Sequence, residues 1–279
     1  MKALIVNGDD FGISSSTNRA VLRAHREGIL TSASLMVNGA AFEEAVALAK
    51  AHPTLSVGIH LVLVHGKSTL PPSEIPDLVN ERGDFSRHPV AAGMAYFFSP
   101  PLKAQIRREL DAQIKKFLST GLPLDHLNGH MNIHVHPTVL GVLMELAERY
   151  GVKKIRLPQE ELFVTLRLDR NRWIEKLIQW TIFEALSLSA RRRLKENGYR
   201  IPDHAYGLLE IGRMREVYLL GLLDSMGEGC FEISFHLGEA PSEWPAFYDG
   251  LQELSALLSG KVRDKIKQSG LKLISYADL

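Results

Sequence analysis

The sequence is poor in cysteine. Cys230 is the only one in 279 residues, which excludes an internal disulfide framework and a thiolate-rich zinc site. Net charge is nearly absent as well: 33 basic side chains against 32 acidic ones leave +1. So even a balance gives no overall attraction to nucleic acid or anionic lipid, and no nucleic-acid partner is expected. No run of about 18 apolar residues occurs, so no segment is expected to span a membrane. The first apolar run turns polar at Gly8-Asp9-Asp10, too soon for a signal peptide. The expected location is a reducing cytoplasm. Internal repeats, low-complexity tracts and a dividing linker are missing too, so a single α/β domain is expected over residues 1–279.

What is present is alternation. Short apolar runs at residues 3–6, 32–37, 55–63, 124–127, 154–157, 231–235 and 271–274 read as strands. Between them, residues 18–27, 42–51, 103–118 and 139–149 carry helical spacing. Strand–helix alternation of this kind argues a parallel sheet or a closed barrel. Two stretches break the rhythm. Residues 70–101 are rich in Pro, Gly and Ser and read as a long functional loop. Residues 172–197 read as one long helix, part of a helical insertion near 160–200. Its Trp173, Ile174, Leu177, Ile178, Trp180, Thr181 and Leu186 recur at three-to-four spacing. Such a stripe packs into the core, forms a homodimer interface, or meets a lipid or peripheral membrane surface.

The residues suited to chemistry follow the strands. Asp9-Asp10 comes directly after the first, and in parallel α/β architectures the C-terminal strand ends form the active face. Two adjacent carboxylates repel unless a cation or a proton relieves them. One division of labour has one carboxylate hold a metal and the other serve as a base. His60 closes the run Gly58-Ile59-His60. Four of the 11 histidines fall between His126 and His136, and neutral imidazole is the commonest metal ligand at neutral pH. Four are too many for one open site, so some must support the ligands or face substrate. Gly129 before His130 is expected to allow a tight turn that aims the imidazole inward. His236 ends the late strand Phe231-Glu232-Ile233-Ser234-Phe235. If the strands curl into a barrel, all these ends converge.

The set Ile5-Val6-Asn7-Gly8-Asp9-Asp10-Phe11-Gly12, Gly28-Ile29-Leu30-Thr31-Ser32, Gly58-Ile59-His60-Leu61, Leu70-Pro71-Pro72, the segment 126–137 and Arg156-Leu157-Pro158 resembles the YdjC-type carbohydrate deacetylases, which include chitooligosaccharide deacetylase. Within that family, Asp125-His126-Leu127-Asn128 and His134-Val135-His136-Pro137-Thr138 look most like the subgroup associated with hopanoid biosynthesis. The resemblance implies an irregular (β/α) TIM-like barrel of the glycoside hydrolase/deacetylase type. It implies hydrolysis of the acetyl group of an N-acetylated sugar or glycolipid with one divalent ion, Mg2+ or Zn2+. By position, Asp10, His60 and His130 match the metal ligands, Asp9 the base that deprotonates water, and His236 the acid that protonates the leaving amine. Arg156 falls at a position facing the site, and we group it with His134 and Asn128 as substrate-binding. Asn128 and Gly129 depart from the pattern, where Asp and Ser usually stand. Asn132 replaces a frequent His, and His236-Leu237 the usual His-Pro. The rival readings are a metal-dependent hydrolase or isomerase of another sugar derivative on the same barrel, and a non-catalytic sugar-binding protein.

Overall fold

A computed structural model describes residues 2–239 and 249–279. Its strands are β1 (Lys2–Phe11), β2 (Ser32–Leu35), β3 (Ser56–Leu61), β4 (Leu127–Gly129), β5 (His204–Tyr206), β6 (Gly229–Phe235) and β7 (Lys272–Ile274). The helices are α1 (Ser15–Glu27), α2 (Phe42–Ala51), α3 (Pro89–Phe98), α4 (Pro100–Ser119), α5 (Pro137–Tyr150), α6 (Leu162–Leu168), α7 (Trp173–Glu196), α8 (Glu216–Ser225), α9 (Gly250–Leu258) and α10 (Gly260–Gln268). The strands pair in parallel in the order β4-β3-β2-β1-β6-β5, with β7 also against β1. Single bridges from Leu127 to Ile155 and from Gln159 to Ala205 carry the ring on from β4 towards β5. The sheet thus curls into an irregular barrel, as the alternation and the resemblance implied.

Side chains alternate along each strand, and here the two faces differ in chemistry. Leu4, Val6, Ala33, Leu35, Val57, Ile59, Leu127, Phe231, Ile233 and Phe235 join the large apolar cluster shared with the helices. The alternate positions close on the lumen. At its floor Ala3 and Ile5 pack with Ile274 and Tyr276. Above them the lumen turns polar, with buried Asn7, Ser34, His60, His126, Asn128 and Glu232. Helices seal the outside and polar side chains climb the inside towards the C-terminal strand ends.

Three expectations need correction. The stretch 70–101 is not loop throughout, because Pro89 opens α3 and Pro100 opens α4. Proline is favoured at the first helical position, where the missing N–H has no intrahelical partner to lose. Residues 154–157 supply only isolated bridges at Lys154 and Ile155. The helix foreseen over 172–197 is α7, and of the readings left open for its apolar stripe the core one holds only in part, since Leu186 packs against the core. Trp173, Ile174 and Ile178 are 54–56% exposed, and the buried positions are Lys176, Ser187, Ala190 and Leu194. Lys176 is neutralised there by Glu210 and donates to the Asp169 carbonyl at 2.7 Å. Among the described residues, no helix is long and apolar enough to cross a membrane.

Candidate metal centre

A regular strand would send Asp9 and Asp10 to opposite faces. Here the β1–β2 register shifts between Gly8 and Phe11, and Asp10 takes the left-handed conformation with φ 59°. A bulge of this kind re-aims a side chain. Asp9 stays on the lumen side, and Asp10 is brought against His60 and His130. Asp and Asn tolerate that backbone better than most residues.

Asp10, His60 and His130 offer one ligand atom each, and these atoms lie within 4.8 Å of one another with all three residues buried. Oδ1 of Asp10 is 3.1 Å from Nδ1 of His130 and 3.3 Å from Nε2 of His60. Burial opposes ionisation of Asp10, but the His130 and His60 rings outweigh it and hold the carboxyl well below the usual range. His60 is pulled the other way: burial disfavours its protonation, while Asp9 and Asp10 raise its pKa on balance. His130 stands where β4 ends. The tight turn lies beyond it, at Met131 and Asn132 with φ 52° and 55°, and not at Gly129, which is extended. Gly129 matters by close approach, since a Cβ there would come within 3.2 Å of His134 Cβ and the Leu61 carbonyl.

Asp9 sits one step deeper. Arg156 grips it with two hydrogen bonds, Nη1 to Oδ2 at 2.6 Å and Nη2 to Oδ1 at 2.9 Å, and Asn7 Nδ2 adds a third at 2.8 Å. Burial opposes the charge on Asp9, yet the Arg156 guanidinium keeps its carboxyl far below the ordinary value. The same guanidinium donates to Glu232 Oε1 from Nε at 2.9 Å and from Nη2 at 2.7 Å. Tyr276 donates its hydroxyl to the other Glu232 oxygen. Asp9 and Glu232 therefore share one guanidinium in a buried space, while Asp10 faces the His130 and His60 rings instead, and that surplus of carboxylates suits a cation.

The structure brings Asp9, Asp10, His60 and His130 together, and His236 stands at the end of β6 close enough for its ring to feel Asp10 and Asp9. Burial lowers the His236 pKa, and its backbone N–H is anchored on Glu253 at 2.6 Å. Asn128, His134 and Arg156, expected to contact substrate, all lie buried behind this front. His134 Nε2 faces the Arg156 carbonyl at 3.0 Å, and burial lowers its pKa to about 3. His126 stacks on Tyr276, ring centres 3.8 Å apart, and a Cβ at Gly58 would strike its ring. His136 lies apart, half-buried beside Tyr96 and Phe97. Asn7, Ser34, Glu232 and Tyr276 were not foreseen. Three of them carried a signal, a polar side chain inside a short apolar strand.

The arrangement is a buried group of ligand atoms, at the strand ends of an α/β barrel, that could hold a metal ion. The profile of the YdjC-like protein family matches residues 3–268, and the chain belongs to that family. It is 46% identical to a carbohydrate deacetylase of Brevibacillus brevis over 56% of this chain; the aligned stretch spans 59% of that relative's length. It is 31% identical to a chitooligosaccharide deacetylase of Enterobacter sp. strain 638 over 100% of this chain and 99% of that one. A solved structure from Enterococcus faecalis V583, described as a candidate cellobiose-phosphate cleavage protein, superposes with a TM-score of 0.77 at 26% identity, covering 99% of this chain and 98% of that one.

Proposed function

We propose that the protein is a metal-dependent carbohydrate deacetylase that hydrolyses the acetyl amide of an N-acetylated sugar or glycolipid. The observation that carries this reading is the convergence of Asp10, His60 and His130 beside a second, guanidinium-clamped carboxylate, Asp9. One carboxylate and two imidazoles form a donor set that accepts zinc and leaves positions open; magnesium, which favours oxygen donors, is the second candidate. When bound, such an ion supplies Lewis acidity towards a carbonyl oxygen and towards water.

The chain's own groups do the proton work in this reading. Asp9 accepts the proton of the attacking water, and Arg156 keeps its carboxylate ionised and correctly turned. His236, once protonated beside Asp9 and Asp10, delivers a proton to the departing amine nitrogen, without which an amine is a poor leaving group. Asn128, His134 and Arg156 act from behind, fixing Asp9 and His60 in place. A pure binding site has no use for a clamped carboxylate beside the triad, which disfavours the non-catalytic reading. A cytoplasmic setting fits the single cysteine. The exposed Trp173, Ile174 and Ile178 of α7 support a surface contact with a second copy or a lipid, which sedimentation and vesicle flotation separate.

The test is acetate release from a panel of N-acetylated sugars, assayed with metal-stripped and metal-reloaded protein beside His130→Ala. We expect release only from the reloaded wild type, and no stoichiometric metal in the variant. Full metal content in His130→Ala, or no acetate from any sugar, overturns the reading.

A further inference from the structure

Asn128 is buried among His60, Ser34 and Arg156, and its amide fits there in two ways. In one seating Oδ1 lies 2.7 Å from His60 Nδ1 and Nδ2 donates to Ser34 Oγ at 2.7 Å. In the other, the nitrogen donates to His60 Nδ1 at 2.7 Å and to the Ile59 carbonyl at 3.1 Å. The oxygen then accepts from Ser34 Oγ at 2.7 Å and from Arg156 Nη2 and Nη1 at 3.1 and 3.3 Å.

The seatings differ in what they leave on His60. Against burial, Asp9 and Asp10 raise the His60 pKa, and at a pH above it the neutral imidazole carries one proton and one lone pair. When Asn128 presents its oxygen, Nδ1 holds the proton and Nε2 offers its lone pair beside Asp10. When Asn128 presents its nitrogen, Nδ1 is the acceptor. Nε2 then carries the proton and directs it at Asp10 Oδ1, 3.3 Å away, and no lone pair is left for a cation. The choice runs further. Ser34 Oγ accepts from Asn7 Nδ2 at 2.9 Å in both cases and touches His126 Nε2 at 3.0 Å. Its one proton goes to His126 when Asn128 donates to it. It goes to Asn128 when His126 donates instead. His126, Ser34, Asn128 and His60 form a hydrogen-bond chain with two directions.

Without a cation, the second direction satisfies more groups. It gives the Asn128 oxygen the second proton of Arg156 Nη1, gives the Ile59 carbonyl a side-chain donor, and gives Asp10 a proton to accept. A cation on His60 Nε2 requires the first direction and turns the Asn128 NH2 towards Arg156. We propose that Asn128 is a positioning residue that sets the tautomer of His60, and that cation binding reverses the chain from His60 back to His126. This rests on Asp10, His60 and His130 being the cation site. A carboxylate at position 128 would accept from His60, Ser34 and Arg156 together and need no reversal, so asparagine here weakens metal binding.

Two measurements on the full chain test this. Histidine side-chain 15N NMR of the metal-free wild type, at a pH where the ring is neutral, should report His60 protonated at Nε2, moving to Nδ1 on saturation with Zn2+. Titration of Zn2+ against a competing chelator should show Asn128→Asp binding about tenfold or more tightly, the usual scale for a group behind a metal ligand. In that variant, metal-free His60 should already be protonated at Nδ1, a change that added negative charge alone does not produce. Metal-free wild type protonated at Nδ1, or equal affinity in both proteins, overturns the role of Asn128 and leaves the cation site standing. Zn2+ bound by neither protein overturns the cation site, and this inference with it. The wild-type spectrum decides even if the variant does not fold.

Discussion

Two buried clusters of charge among the described residues are built differently. Beneath α7, Lys176 meets Glu210, one cation to one anion, with the Asp169 carbonyl taking a further lysine proton. In the lumen, Arg156 serves Asp9 and Glu232 at once, and Asp10 stands near with no guanidinium of its own. The first cluster is closed: its charges cancel. The second is open by design of its arithmetic, since carboxylates outnumber the cation. Chemistry of the cation differs as well. A lysine is a point charge, whereas the arginine fork fixes the plane of the carboxylate it grips. Burial of charge alone does not mark a site; an unbalanced and oriented cluster does.

That contrast can be broken in four ways. The largest effect belongs to Asp9→Asn, which keeps shape and loses the proton acceptor: turnover should fall about 10²–10⁴-fold, with metal content by mass spectrometry unchanged. A near-normal rate would remove Asp9 from the proton path. Arg156→Lys keeps the charge and loses the fork. We expect turnover lower by about 10–100-fold in a protein that still holds metal, and an unchanged rate would show that orientation is dispensable.

The closed cluster should behave oppositely. Replacing both partners, Lys176→Met with Glu210→Leu, should leave turnover unaltered and leave stability level or higher by about 1–4 kcal/mol in chemical denaturation. A loss of activity there would mean that α7 reports to the site. The fourth is a pH dependence. Burial pushes Glu160 up to about 7 against hydrogen bonds from Gly207, Leu208, Leu209 and Thr165. Burial likewise pushes Glu253 up to about 8. From the ordinary value of 4.5 up to those values, the folded chain keeps protons that the unfolded chain releases. Stability must therefore fall as pH rises through that window and level off above it. Melting curves should show it as roughly 2–4 °C per kcal/mol. Glu160→Gln, which mimics the protonated form, should flatten the trend, and an unchanged slope would clear Glu160.

Much of this was legible beforehand. The runs at 32–37, 55–63 and 231–235 became β2, β3 and β6 because buried parallel strands read as short apolar stretches. Strand-end placement narrowed the candidates, and the resemblance singled out Asp10, His60 and His130, whose ligand atoms the fold brings within 4.8 Å of one another. What stayed hidden depends on distance along the chain. Arg156 follows an isolated bridge in place of a strand, and its partners Asp9 and Glu232 are 147 and 76 residues away. The exposure of Trp173 and Ile178 was hidden too, because helical spacing shows that a stripe exists and not which face of α7 the barrel takes.

Asp10 carries one more consequence. Its left-handed backbone, φ 59°, is a conformation that glycine adopts freely and other residues adopt at a cost of order 1 kcal/mol or more. In a laboratory evolution scheme that rewards heat resistance alone, Asp10→Gly should therefore be enriched: it relaxes the main chain and deletes a buried anion together. The same allele should vanish when survival depends on the site. Running the two regimes in parallel would turn one torsion angle into a measure of what the protein gives up in robustness to keep a ligand at that position.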